Sequence, residues 1–306
     1  MLVMRKKLID WVIDNGNNLG VVVFVTLLFP KVFLRALMEE NDKKKSFVKN
    51  KKSVLTISFD CDYPEDVAAI PAVVRMLSRH EFKTSFACVG HWIEKFPKEH
   101  AMILEYGHEI VNHTYSHPDN EILNPGRKFK EISREEKKEE VERCHDICKR
   151  ILHYEPIGCR IPHFKNLFTP EIYSILKELG YRYSSSTLIT NTKTAGFPFK
   201  TKEGIIEFPL TSCPKHPFTV FDTWHSFNSP RLFYKLVHRT EDQYIGLFKY
   251  LIDIAIETNS YLNIYIDPLD IPKMNRFGEI LEYIKARQEK LWVASYKEIV
   301  NEVMLI

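Results

Sequence analysis

Val54-Leu55-Thr56-Ile57-Ser58-Phe59-Asp60-Cys61-Asp62 is a β-rich run that ends on two acids. Its β-branched and aromatic residues favour an extended strand over 54–59. Seven further runs of this kind follow at 83–89, 109–112, 158–161, 181–184, 204–208, 262–266 and 291–294. Between most of them lie stretches with apolar residues at three- and four-residue spacing, among them 66–80, 170–179, 241–257 and 278–288, which read as helices. Strand and helix alternating about eight times predicts an α/β fold with a parallel sheet closed into a barrel. In such a barrel the loops after the strands open on one rim, where distant residues converge. Asp60 and Asp62 follow the first strand, His113 follows the third, Arg160 lies within or after the fourth and Asp267 follows a late one.

The second cluster is Asn112-His113-Thr114-Tyr115-Ser116-His117. Histidines at i and i+4 share one face of a helical turn, so both imidazoles reach one ion, and an aspartate from a neighbouring strand end completes a three-ligand set. Asp62, His113 and His117 are the expected metal ligands. Asp60 and Asp62 leave a strand on the same side, with Cys61 pointing away. Three ligands leave a coordination position open for a water that the ion acidifies, and a second carboxylate beside it takes the proton. One carboxylate with two imidazoles suits Zn²⁺, and also Co²⁺, Mn²⁺ or Fe²⁺. The chemistry predicted is hydrolytic.

Joined to Gly158-Cys159-Arg160-Ile161-Pro162-His163-Phe164, in this chain order, these clusters resemble the motif set of the polysaccharide deacetylase family, the NodB-like carbohydrate esterases. The resemblance runs from about Val54 to the C-terminus. It implies a distorted barrel of about seven strands and removal of an N-acyl group, most often acetyl, from an amino sugar or glycan. It makes Asp60 the base that activates the attacking water and Arg160 the cation that holds that base, an arrangement expected to keep the Asp60 carboxyl below its ordinary range. His163 stands where the family has tyrosine, and there the family contributes a main-chain N–H to the oxyanion.

The late motifs depart from the family. Leu262-Asn263-Ile264-Tyr265-Ile266-Asp267-Pro268 carries aspartate where the family has the histidine that protonates the leaving amine. Gly180-Tyr181-Arg182-Tyr183-Ser184-Ser185-Ser186 carries serine where an aspartate often pairs with that histidine. Asp267 can replace the histidine if burial keeps it protonated. His225, in Asp222-Thr223-Trp224-His225, is the alternative donor, and Trp224 is placed to stack on a sugar face.

The 306 residues suit one large domain with or without an appendage, and 44% hydrophobic residues suffice for a sizeable core. A net charge of +3, with no zinc-finger spacing and no Gly-rich phosphate loop, argues against a nucleic-acid partner. Cys61, Cys88, Cys144, Cys148, Cys159 and Cys213 form no dense framework, which fits a reduced compartment. Cys144 and Cys148 read as half-buried positions on a helix.

Residues 1–52 differ from the rest: eleven Lys or Arg against five Asp or Glu give +6, so residues 53–306 carry −3. Residues 19–29 are uncharged and apolar, but Lys31 interrupts a run already shorter than the roughly twenty residues a span takes. Arg5-Lys6-Lys7 suits a signal peptide, whereas Asp10, Asp14 and the lack of a small-x-small site do not. Lys43, Lys44, Lys45, Lys49, Lys51 and Lys52 tip the reading from a helix packed on the domain toward a segment held at an anionic membrane surface. The expectation is therefore a membrane-contacting segment, 1–52, before a catalytic domain, 53–306, in the cytoplasm at the inner face of the membrane. Two other enzyme readings are a deformylase of a lipid-linked sugar and a hydrolase of a small cyclic amide. The reading from a different class is a glycan-binding relic of the same fold without turnover.

Overall fold

The computed structural model describes residues 2–40, 52–162, 169, 171–228 and 240–303. Its strands are β1 Ser53–Cys61, β2 Ser85–Cys88, β3 Glu109–Asn112, β4 Gly158–Cys159, β5 Tyr183–Ser184, β6 Phe199–Lys200, β7 Ile206–Glu207, β8 Tyr261–Ile266 and β9 Leu291–Val293. The helices are α1 Leu2–Asp14, α2 Leu19–Leu28, α3 Pro30–Glu39, α4 Pro64–Ser78, α5 Gly90–Lys95, α6 Pro97–Glu105, α7 Arg134–Leu152, α8 Glu171–Glu178, α9 Glu241–Thr258, α10 Phe277–Lys285 and α11 Tyr296–Val303. Each expected strand and helix has a counterpart. The additional strand, β6, pairs antiparallel with β7 across a turn in which Gly204 takes φ +93, a conformation that favours glycine.

All strands lie in one sheet, in the order β6-β7-β5-β4-β3-β2-β1-β8, with β9 also on β1. Every pairing except β6 with β7 is parallel. Val54 and Leu55 pair with both β8 and β9, so β9 takes the edge of β1 that β2 uses only from Ser58 onward. The sheet curls until its ends meet beyond the assigned strands: Thr211 N donates to Asn263 O at 2.8 Å, and Asn263 N donates to Thr211 Oγ1 at 2.9 Å. The expected barrel is thus a curled sheet joined by a short seam.

Alternation along β1 decides what goes where. Leu55, Ile57, Phe59 and Cys61 join Val67, Ile70, Val74 and Leu77 of α4 in the main apolar core outside the sheet. Val54, with Tyr183, Phe208, Tyr261 and Tyr296, plugs the lower interior. Ser58 and Asp60 point inward above that plug, and the interior turns polar toward the rim.

The N-terminal helices also contribute to the core. α3 buries Phe33, Leu34, Leu37 and Met38, and the last three belong to the main cluster. Asn18 caps α2 by accepting from Gly20 N at 2.9 Å, and Pro30, whose missing N–H costs nothing at a helix start, opens α3. The two helices meet at a bend of 97°, and no single described helix is long and apolar enough to cross a membrane. All six cysteines are buried, including Cys144 and Cys148, which were expected to be half-buried; α7 turns both into the core.

Candidate metal centre

Register builds the site. Phe59 pairs with Ile266, so the next residues, Asp60 near the end of β1 and Asp267 just beyond β8, stand side by side. Asn112 pairs with Cys159, so His113 and Arg160 leave β3 and β4 side by side. Asp62 lies one residue beyond β1. Its Oδ1 stands 3.1 Å from His113 Nε2 and 3.5 Å from His117 Nε2. Four ligands arranged tetrahedrally at about 2.0–2.1 Å from an ion lie about 3.3 Å apart. The donor set therefore matches a divalent ion in chemistry and spacing, and Asp62, His113 and His117 are the residues that could hold one.

Surrounding hydrogen bonds fix these donors. His113 Nδ1 lies 2.7 Å from the Arg160 carbonyl, which only accepts; Nδ1 therefore carries the proton, and the Nε2 lone pair faces Asp62. The Asp62 carbonyl accepts from Trp92 Nε1 at 2.8 Å and from Asn120 Nδ2 at 2.7 Å. Asp66, at the start of α4, accepts from Asp62 N, from Tyr63 N and, through its other oxygen, from Leu269 N at 3.1 Å. It thereby ties the end of β1 to the segment that follows Asp267.

The histidines do not lie on a helical turn, which corrects the sequence expectation. Thr114 and His117 have φ of +64 and +49, and residues 113–120 form bends and a turn. His117 precedes Pro118, whose ring disfavours the helical conformation in the residue before it. Two left-handed residues bring the imidazoles together instead, with ring centroids 4.8 Å apart. Glu140 of α7 holds this loop, accepting from Ser116 N at 2.8 Å and Ser116 Oγ at 2.6 Å.

Arg160, fully buried, bonds Asp60 through Nη1. Its Nη2 donates to Ser58 Oγ, Ser185 Oγ and Tyr296 OH, and its Nε to Ser185 O. The sequence reading expected this guanidinium to hold the Asp60 carboxyl low. Burial instead lifts that carboxyl above its ordinary value, while Arg160 pulls the other way without prevailing.

At the other end, Asp267 Oδ2 accepts from Thr223 Oγ1 and Trp224 N, both at 3.0 Å. Burial, with the nearby charges of Asp66, Asp222, Asp62 and Asp60, pushes its carboxyl well above the usual range. Asp222 is fully enclosed, bonded by Tyr265 OH and by His225 N at 2.8 Å, and burial raises it to about 7. Trp224 is exposed at the start of a π-helical turn, Trp224–Asn228. His225 is buried, with Nε2 2.8 Å from His216 Nδ1. His163 lies outside the described residues. Sequence reasoning missed Asp66, Glu140, Asp222 and Tyr296; of these only Asp66, an acid in the first turn of an expected helix, carried a local signal.

A sequence model of the polysaccharide deacetylase family matches residues 47–184. A peptidoglycan-N-acetylglucosamine deacetylase of Bacillus cereus is 30% identical over 112 residues, 37% of this chain and 37% of that protein. The match thus spans little more than a third of that relative's length. A Mycobacterium smegmatis protein assigned to the polysaccharide deacetylases superposes with TM-score 0.70 at 16% identity, covering 84% of this chain and 92% of its own. Puue allantoinase superposes with TM-score 0.62 at 12% identity, with the same coverages. At these identities the structural likeness is one of fold. Residues 47–184, a little under half of the chain, are thus similar to the polysaccharide deacetylase family. The matched region contains Asp60, Asp62, His113, His117 and Arg160, whereas Asp222 and Asp267 lie beyond it.

Proposed function

We propose that this chain is a metal-dependent hydrolase that removes an N-acyl group, acetyl in our assignment, from an amino sugar or glycan. The observation that carries the reading is the convergence of Asp62, His113 and His117 on one point beside the Asp60–Arg160 pair. A bound divalent ion, Zn²⁺ in our assignment, supplies a Lewis acid that polarises the acyl oxygen and acidifies water.

The chain's own groups do the rest. Asp60 takes the proton from the attacking water, and Arg160 fixes its orientation; a carboxyl raised by burial is a stronger base than an exposed one. Asp267, kept protonated by burial and neighbouring acids, gives a proton to the departing nitrogen. Thr223 Oγ1 and Trp224 N engage one oxygen of Asp267, which orients the other. The Trp224 ring offers a face to a sugar. His225 is the weaker candidate for the donor, since its Nε2 already faces His216.

The test is acetate release from N-acetylglucosamine oligomers by the purified chain, metal-loaded and chelator-treated. Release that chelator abolishes and added Zn²⁺ restores supports the reading. No release from N-acetyl or N-formyl sugars by the metal-loaded chain overturns it, and saturable glycan binding without turnover would favour the binding relic.

A further inference from the structure

Apolar exposure in this molecule is concentrated in one place. Eleven of the thirteen large hydrophobic side chains exposed among the described residues fall between Val3 and Val32; the other two are Ile122 and Trp224. On α2 the pattern is sharpest. Its buried side chains, Val25 and Thr26, face the body of the protein, whereas Leu19, Val23, Phe24, Leu27 and Leu28 point outward. Phe24, Leu27 and Leu28 are 54%, 63% and 61% exposed, and the outward half of α2 presents no polar side chain at all. A surface helix in water places polar residues on that side. On α1 a second stripe, Met4, Leu8 and Trp11, follows the same four- and three-residue spacing.

We infer that the outward faces of α1 and α2 form a docking surface for an anionic phospholipid bilayer, on which they lie without crossing. Geometry excludes crossing. Ten residues of α2 rise about 15 Å at about 1.5 Å per residue, half of a hydrocarbon core of about 30 Å. The chain then turns by 97° into α3, whose Leu34, Leu37 and Met38 are committed to the main core. A helix half-embedded at the interface needs only its outer face to be apolar.

Charge selects the occupant. No acidic residue occurs between Asp14 and Glu39, Lys6 and Lys7 are exposed on α1, and six lysines fall within 43–52. A second copy of this chain would carry the same net positive charge in residues 1–52, which is repulsive; an anionic surface neutralises it. The two helices are joined to the body of the protein: Val12 of α1 and Val25 of α2 cluster with Phe33 of α3, which stacks on Phe218 at 6.0 Å, and Lys193 Nζ pairs with Asp14 Oδ1 at 2.8 Å.

The test is flotation of the full-length protein with phosphatidylcholine vesicles, with and without about one third phosphatidylglycerol. The wild type is expected to float with the anionic vesicles, and less so as salt rises from about 0.1 M to about 1 M, where screening shortens from about 10 Å to about 3 Å. Phe24→Glu/Leu27→Glu is expected to weaken binding about tenfold or more without shifting the melting temperature, because both side chains are exposed. Phe24→Ser/Leu27→Ser provides the same reading without added charge. Failure of the wild type to float, or equal flotation of both double variants, overturns the inference. So does a wild-type dimer in sedimentation that the variants dissociate while vesicle binding is unchanged, since the face would then belong to a second copy. None of these readouts depends on acetate release, so a failed docking surface and a failed deacetylase assignment are told apart.

Discussion

Arg160 shows why a single side-chain identity matters at this site. Its planar fork reaches a carboxylate, two serine hydroxyls, a tyrosine and a carbonyl at once, a set that a lysine ammonium with three donors on a flexible stem cannot hold in one orientation. The group it orients is Asp60, and the account separates that carboxylate from the ligands. Asp60→Asn is expected to leave metal content near normal in elemental analysis while activity falls about a hundredfold or more. Loss of the metal together with activity would make Asp60 a ligand instead. Asp267, the proposed donor, has the opposite requirement, since a donor must be protonated to act. Its carboxyl lies well above the ordinary range, and the adjacent Asp222 lies at about 7. Activity is therefore expected to hold at pH below the shifted Asp267 value and to fall as pH rises through it. Asp267→Asn should lower turnover, retain metal and remove that falling limb from the rate profile. Undiminished activity in Asp267→Asn would exclude the role.

Among the elements, the loop at residues 113–120 is the piece on which affinity for the proposed metal would turn. A helix would have made its own hydrogen bonds; this loop, with φ positive at Thr114 and His117, borrows them from α7 through Glu140 and from the side chains of Asn112 and Thr114, which accept from Thr114 N and His117 N. Glu140→Ala is expected to weaken metal binding about ten- to a hundredfold, the range typical when a support behind the ligands is removed, and Glu140→Gln much less. Titration of the metal-free variants with Zn²⁺ checks this; unchanged affinity in Glu140→Ala would mean that the loop holds itself. The loop also marks a boundary of what the sequence made legible. The spacing of His113 and His117 correctly brought two imidazoles together, but through the wrong local structure, although Pro118 was a visible signal against a helix. The strands were readable because each is a short β-rich run between helical patterns. β6 was not, because a two-residue hairpin arm has no periodicity to detect.

For the whole molecule, legibility follows sequence distance. Asp60 with Asp62, and His113 with His117, are neighbours whose chemistry is visible in a few residues. Tyr296 reaches Arg160 from 136 residues away, and Leu269 N meets Asp66 across 203. No local pattern announces such contacts; only the curling of the sheet makes them. The same curling sets Asp222 and Asp267 opposite the metal-ligand set, so the part of the site lying outside the family match is also the part whose chemistry departs from the family. The central claim is that Asp62, His113 and His117 together hold one catalytic ion. Calorimetric titration of the metal-free protein with Zn²⁺ tests it most directly. The account expects about one ion per chain, and loss of most of that binding in each of Asp62→Ala, His113→Ala and His117→Ala, with the folded state retained by circular dichroism. Wild-type affinity in His117→Ala would contradict it.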